Sequence, residues 1–327
     1  MIKKIFIILV FILTVFLLVN GVNAASYTVS NSTDVDTISK MLSGEVPIKN
    51  SKFIKNGDTI KFKEGNYYNL KLNVKKSIAI TNVKKAKVRF IGNNSGIGIN
   101  LTNKNKKVSI NNILIRNYSY GIYGQVKSGK ITNNVFHENK KYGIYIKSSK
   151  TKVFNNKFIQ NANGLHLIGN KNTISYNKAN GGKDYFVGLY VKGNNNSVIK
   201  NKVKTPSGSG IEVIGNKNKI TKNNATALNG MYIWGSKNLI SYNLVISKYC
   251  SIDASVNKSK IVYNTVKNSD LGLHIGGRFN LIYYNNIYKN KLGISYYKKT
   301  GNDFYKNKFL KNNKKIKSLD IDPREEI

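Results

Sequence analysis

Ten times between residues 111 and 307 the chain repeats one hexamer, an apolar residue, two variable residues, Asn, a variable residue and a second apolar residue. Its Asn falls at Asn111, Asn134, Asn156, Asn177, Asn201, Asn223, Asn243, Asn264, Asn285 and Asn307, spaced 20 to 24 residues apart. Ile174-Ser-Tyr-Asn177-Lys-Ala179 and Ile261-Val-Tyr-Asn264-Thr-Val266 are examples. A second motif, Gly-apolar-x-apolar, keeps step with it from Gly121, Gly143, Gly164, Gly188, Gly210, Gly230, Gly272 and Gly293, with Ser251 in the one vacant glycine place. Gly-Asn-x-Asn or a degenerate form lies between them at Gly169, Gly193, Gly215 and Gly235. A period of this size restricts the chain to architectures that stack one small unit upon the next.

Each unit holds short alternating segments rich in Ile, Val and Tyr, broken by Gly and Asn. Alternation with period two indicates strands, and about 22 residues divided into three such segments leave no room for a helix. One turn of a parallel β-helix has this content. The reading is therefore all-β, a solenoid whose coils pair with their neighbours about 4.8 Å away. Ile144, Leu165, Leu189, Ile211, Met231, Ile252, Leu273 and Ile294 would form one inward ladder. The repeated Asn is expected at corners, where it tolerates left-handed backbone and its amide can bond the next coil. That makes it a structural ladder and not a site.

Residues 50–100 are strand-like but less regular, as terminal repeats usually are. Before them, Val35, Ile38, Met41 and Leu42 share one helical face, with Ser32 or Thr33 available as N-cap. A short helix plugging the open end is expected. Lys3 and Lys4 precede an apolar run, Ile5 to Val19, and a small-residue exit ending at Ala24. This is the form of a secretory signal cleaved after Ala24, leaving no membrane span. The expected divisions are 1–24 signal peptide, 25–48 N-terminal cap, 49–313 β-helix and 314–327 C-terminal tail.

Lys and Asn make up nearly a third of the 327 residues, and the formal net charge is +39. Such a balance can prevent collapse. Here 40% of residues are apolar and only three are Pro, so a folded core is available and a Pro-rich or collagen-like chain is excluded. The single cysteine, Cys250, rules out a disulfide-stapled fold.

The organisation resembles the right-handed parallel β-helix family of pectate-lyase-like architecture. Within it, the nearest resemblance is to the carbohydrate-binding and sugar-hydrolase (CASH, PbH1-repeat) proteins, including the secreted adhesin-like proteins of methanogenic archaea. The Asn hexamers, the Gly-Ile-x-Ile strands and the lead-in Asn56-Gly-Asp-Thr-Ile-Lys-Phe-Lys-Glu-Gly-Asn-Tyr67 carry this resemblance. It implies a single-stranded right-handed solenoid of ten regular coils, and a polysaccharide groove along the outer face of one sheet.

The x residue of the Gly-Ile-x-Ile strand points outward, since strand side chains alternate. Down the coils it reads Tyr123, Tyr145, His166, Tyr190, Glu212, Tyr232, Asp253, His274 and Ser295, with no Lys and no Asn. The next outward row places Trp234 beside Tyr232. Aromatic rings can stack on sugars, and acids and histidines can bond hydroxyls or move protons. A ligand groove is thus expected from Tyr145, His166, Tyr190, Glu212, Tyr232, Trp234, Asp253 and His274. If the chain is an enzyme, the catalytic candidates are Asp253, His274 and Glu212. Asp253 and His274 stand on adjacent rungs, about 4.8 Å apart, and Glu212 and Asp253 two rungs apart, about 9.6 Å. The Gly-His-Gly and Arg-Ile-Lys elements of polygalacturonases, the Asp-Pro-His-Asp of mannuronan epimerases and the clustered Asp of calcium-dependent lyases are missing. Binding therefore ranks first, polysaccharide lyase, epimerase or hydrolase chemistry second, and a purely structural solenoid third, with no metal or cofactor called for.

The lysines are spread over the turns of every coil. Such a surface attracts polyanions, and outside a cell the available ones are acidic wall polymers and uronic-acid glycans. No nucleic-acid reading module is visible. The expected partner is an extracellular glycan or anionic wall polymer, at a secreted or cell-surface location.

Overall fold

The computed structural model describes residues 24–104, 106–181 and 186–320. It is an all-β parallel solenoid of about 12 turns. The apolar run expected to be a signal lies outside the described residues. Three columns of parallel strands form its sides. Sheet I has 13 strands, from Ser26–Val29 to Asp303–Tyr305. Sheets II and III are continuous through the long strands Lys202–Ile214 and Asn224–Ser236.

The coil from 152 to 172 shows how sequence sets the shape. Lys152–Phe154 belongs to sheet I, Lys157–Ile159 to sheet II and Asn163–Ile168 to sheet III. Between them the chain turns at Asn155, Gln160 and Lys171, each with left-handed backbone at φ 53, 52 and 59°. The residue after each turn is a buried Asn: Asn156, Asn161 and Asn172. The ladder Asn is thus not the left-handed residue. Its predecessor is, and that place is held by Asn133, Tyr176, Lys200 and Tyr242 alike. Left-handed backbone is costly for Tyr and Lys, less so for Asn. The buried amides that follow anchor each corner.

Nine of the ten hexamer Asn form one ladder. Asn156 Oδ1 accepts from the backbone N–H of Asn134 at 3.0 Å, and Asn156 Nδ2 donates to the Ile131 carbonyl at 2.8 Å. The pattern continues to Asn307. Asn111 is the correction: it ends the sheet I strand Lys107–Asn111 opposite Thr132, and Ile113 takes the rung whose N–H bonds Asn134. A second ladder follows the Gly-Asn-x-Asn motif through Asn172, Asn196, Asn218 and Asn238. The first Asn of that motif forms an outer ladder, with Asn194 Oδ1 accepting from Asn216 N–H at 2.8 Å. The glycines at Gly210 and Gly230 permit close coil approach, since a Cβ on Gly210 would lie 2.5 Å from the Gly230 carbonyl oxygen.

The expected inward ladder from Ile144 to Ile294 is buried throughout. At the start, Ser26–Val29 pairs in parallel with Thr59–Phe62, and helix α1 (Val35–Ser43) covers the first coils with Ile38 and Leu42 fully buried. Its N-cap is Asp34 and not the expected Ser32 or Thr33, because the Asp34 carboxylate accepts the Thr37 N–H at 2.9 Å. At the other end, Lys314–Leu319 pairs in register with Leu292–Tyr297. The solenoid therefore runs six residues into the stretch assigned to the C-terminal tail.

Candidate functional site

The outward row of sheet III is built by register. Tyr123, Tyr145, His166, Tyr190, Glu212, Tyr232, Asp253, His274 and Ser295 pair rung to rung without a slip. A parallel sheet holds successive side chains about 4.8 Å apart, close to ring-stacking distance. The first four rings use this. Tyr123 stacks on Tyr145 at 5.4 Å, Tyr145 on His166 at 4.5 Å and His166 on Tyr190 at 4.2 Å, all within 20° of parallel.

Two further rings, absent from the sequence-level candidates, complete this platform. Tyr120 and Tyr142 stack on each other at 5.7 Å and meet Tyr123, Tyr145 and His166 edge-on. Their signal was the repeated Tyr-Gly-Ile-Tyr at 120–123 and 142–145. Because Tyr145 and His166 lie within the stack, their ring faces are covered by neighbours, and they offer a ligand their edges. Tyr123, at the end of the stack, is more open, with 37% of its surface exposed. Beside it is a shallow hollow of about 270 Å³ lined by Asn100, Thr102, Tyr123, Gln125, Tyr145 and Lys147 among others.

Burial sets the electrostatics of the row. His166 is pulled down to about 4 by burial, with Lys192 adding repulsion, so its ring is neutral at neutral pH. Burial also holds the Glu212 carboxyl above its ordinary range, against a lowering hydrogen bond from Ser209. Asp253 is likewise raised by burial, partly offset by attraction to His274 and by Ser255 Oγ, which donates to Asp253 Oδ1 at 3.1 Å.

The structure brings Asp253 and His274 onto adjacent rungs, yet no hydrogen bond joins them among the described contacts. His274 Nδ1 instead bonds Ser295 Oγ at 2.8 Å. Tyr232 and Trp234 lie in nearly parallel planes with centroids 5.6 Å apart, and Trp234 is 37% exposed. The row thus has an aromatic half, from Tyr123 to Tyr190, and a mixed half, where Glu212 and Asp253 flank Tyr232 and Trp234. Cys250 is buried enough to push its thiol up to about 12, which leaves it protonated and unreactive at neutral pH. His137, outside the row, bonds Gln160 Oε1 at 3.3 Å. Among the described residues no three His, Cys, Asp or Glu side chains converge to hold a metal. Nor is any described helix long and apolar enough to cross a membrane.

A three-sided parallel solenoid with internal amide ladders defines a class, and the profile of the right-handed beta helix region matches residues 37–180 and 163–315. The chain belongs to that family. No curated protein matches it by sequence. Among solved structures it is similar in fold to PfbA, a surface adhesin of Streptococcus pneumoniae, at 13% identity and a TM-score of 0.62, covering 86% of this chain and 87% of that one. It is also similar to the GH136 lacto-N-biosidase of Eubacterium ramulus, at 10% identity and a TM-score of 0.53, covering 91% and 68%.

Proposed function

We propose that this chain is a secreted, surface-associated β-helix that binds an extracellular glycan along the outward row of sheet III, in an adhesin-like role. The observation that carries the reading is the unbroken platform from Tyr123 to Tyr190, running into Glu212, Tyr232, Trp234 and Asp253 on the same face. A sugar chain laid along the axis meets tyrosine edges and hydroxyls, an exposed ring at Tyr123, an indole at Trp234, and two carboxyls for its hydroxyls. Apolar contact with a few placed polar groups is the usual composition of a small-ligand site. Similarity to a surface adhesin supports the location and role. A glycan array run at two salt concentrations tests it: binding lost in Trp234→Ala and Tyr123→Ala is expected, and equal binding by wild type and both variants would leave the face an ordinary exposed sheet.

A second reading has its own support. Glu212 and Asp253, both raised by burial, could hold a proton for a leaving group. Lyase, epimerase or hydrolase chemistry in this groove would use them, with His274 beside Asp253. Release of reducing ends or unsaturated product from a panel of glycans, abolished in Asp253→Asn, is the result that would favour catalysis over binding.

A further inference from the structure

A different side of the solenoid carries charge without an obvious counterpart. On sheet II, Lys157, Lys178 and Lys202 stand directly opposite one another on three successive rungs, all exposed. Lys204 follows Lys202 on the same outward face, two residues along the strand. At the neighbouring corner, the left-handed residues Tyr176, Lys200, Lys222 and Tyr242 occupy four successive coils. Lys200 Nζ lies 5.1 Å over the Tyr176 ring and donates to its Oη at 2.8 Å. Tyr242 is exposed and heads a second tyrosine stack, on Tyr263 at 5.0 Å and through it on Tyr284 at 5.1 Å.

None of these lysines joins the four ion pairs found among the described residues. Like charges directly opposite on a sheet repel and weaken it. Three in a row, with two more at the corner, form a strip of positive potential about one rung apart. We infer that sheet II and this corner form a second binding surface, separate from the sheet III row, for a linear acidic polysaccharide lying along the solenoid axis. Its carboxylates would sit over Lys157, Lys178, Lys202, Lys200 and Lys222, relieving their mutual repulsion. Its rings would meet Tyr176 and Tyr242, which bracket the two corner lysines. Those tyrosines favour a polymer of rings with pendant anions over an open-chain polyphosphate.

The surface uses none of the residues of the glycan row, so the two readings fail separately. The test uses polygalacturonate as probe, with binding of the full chain measured by interferometry at low and high salt. Lys178→Glu/Lys202→Glu is expected to bind roughly tenfold more weakly or worse at low salt, with a shallower salt dependence. Lys150→Glu/Lys171→Glu, the same change of net charge at the corner between sheets III and I, should stay within roughly twofold of wild type. Equal losses in the two double variants would reduce the effect to net charge and overturn the site. Loss in Trp234→Ala but not in the sheet II variant would place the polymer on sheet III and also overturn it. So would tighter binding of single-stranded DNA than of polygalacturonate through the same lysines. All substituted lysines are exposed, and circular dichroism verifies that the variants keep the strand content of the wild type.

Discussion

Asn201 Oδ1 accepts two hydrogen bonds from one residue a coil earlier, the backbone N–H and the side-chain amide of Asn177, each at 3.0 Å. Asn201 Nδ2 meanwhile donates to the Ile174 carbonyl at 2.9 Å. Truncation to Ala leaves two buried donors and one buried acceptor unpaired. At about 1–3 kcal/mol for each buried group left unsatisfied, Asn201→Ala should cost about 3 kcal/mol or more. Asn111→Ala, off the ladder, should change stability by less than about 0.5 kcal/mol. Urea denaturation of both variants checks the contrast, and equal costs would mean the ladder contributes nothing special.

Gly210 is held to glycine by space, not by left-handed backbone. Gly210→Ala puts a methyl against the Gly230 carbonyl oxygen and the Ala225 side chain. A cost of about 1–3 kcal/mol is expected from overpacking. The thermal midpoint reports it, and an unchanged midpoint would show that the coils can part at no penalty.

His166 makes stability depend on pH with a definite sign. Its folded value near 4 lies below the ordinary value of 6.5, so the unfolded chain binds more protons between them. Its contribution is present above about 6.5 and is lost as pH falls toward about 4, with an upper limit of about 3 kcal/mol. His166→Gln should flatten this part of the stability profile. A parallel fall in wild type and variant would locate the pH dependence elsewhere.

Glu212 acts in the opposite sense. Its carboxyl is raised by burial, so the folded chain holds the proton more tightly than the unfolded one. Stability from this group is complete below the unfolded carboxyl value and declines as pH rises through the folded one. Glu212→Gln should raise the melting temperature at pH 7 and leave it unchanged near pH 3. Melting curves at the two pH values decide the matter; an equal shift at both would assign the effect to packing.

Much of the architecture was legible because solenoid chemistry repeats. The buried column from Ile144 to Ile294 and the outward row from Tyr123 to Ser295 follow from alternation once the period is known. Asn111 misled because Asn111-Asn112-Ile113 offers amides at two positions near the corner, and only the pairing with Thr132 shows that Ile113 faces inward. The amides of Asn139 and Asn161, which bond across coils at 2.8 Å, escaped notice because their column is interrupted by other residues. At the site, alternation told which side chains face outward but not how their rings lie. The stacking of Tyr145 on His166, which closes those ring faces to a sugar, depends on rotamers that no periodicity encodes. Asp253 and His274 were adjacent as expected, yet Ser255 and Ser295, each within hydrogen-bond reach, are the partners they bond.

The unslipped pairing of sheet III turns the molecule into a ruler. About 12 coils at about 4.8 Å give a graduated edge about 58 Å long, marked at every rung by one side chain. Loss or duplication of a whole coil would shorten or lengthen this scale by one graduation while leaving every remaining mark in place. A polymer whose own repeat matches the graduations could engage many marks at once, whereas one with a different repeat would drift out of phase within a few rungs. Selectivity on such a surface can therefore reside in the length and pitch of the ligand, beyond the chemistry of any single contact.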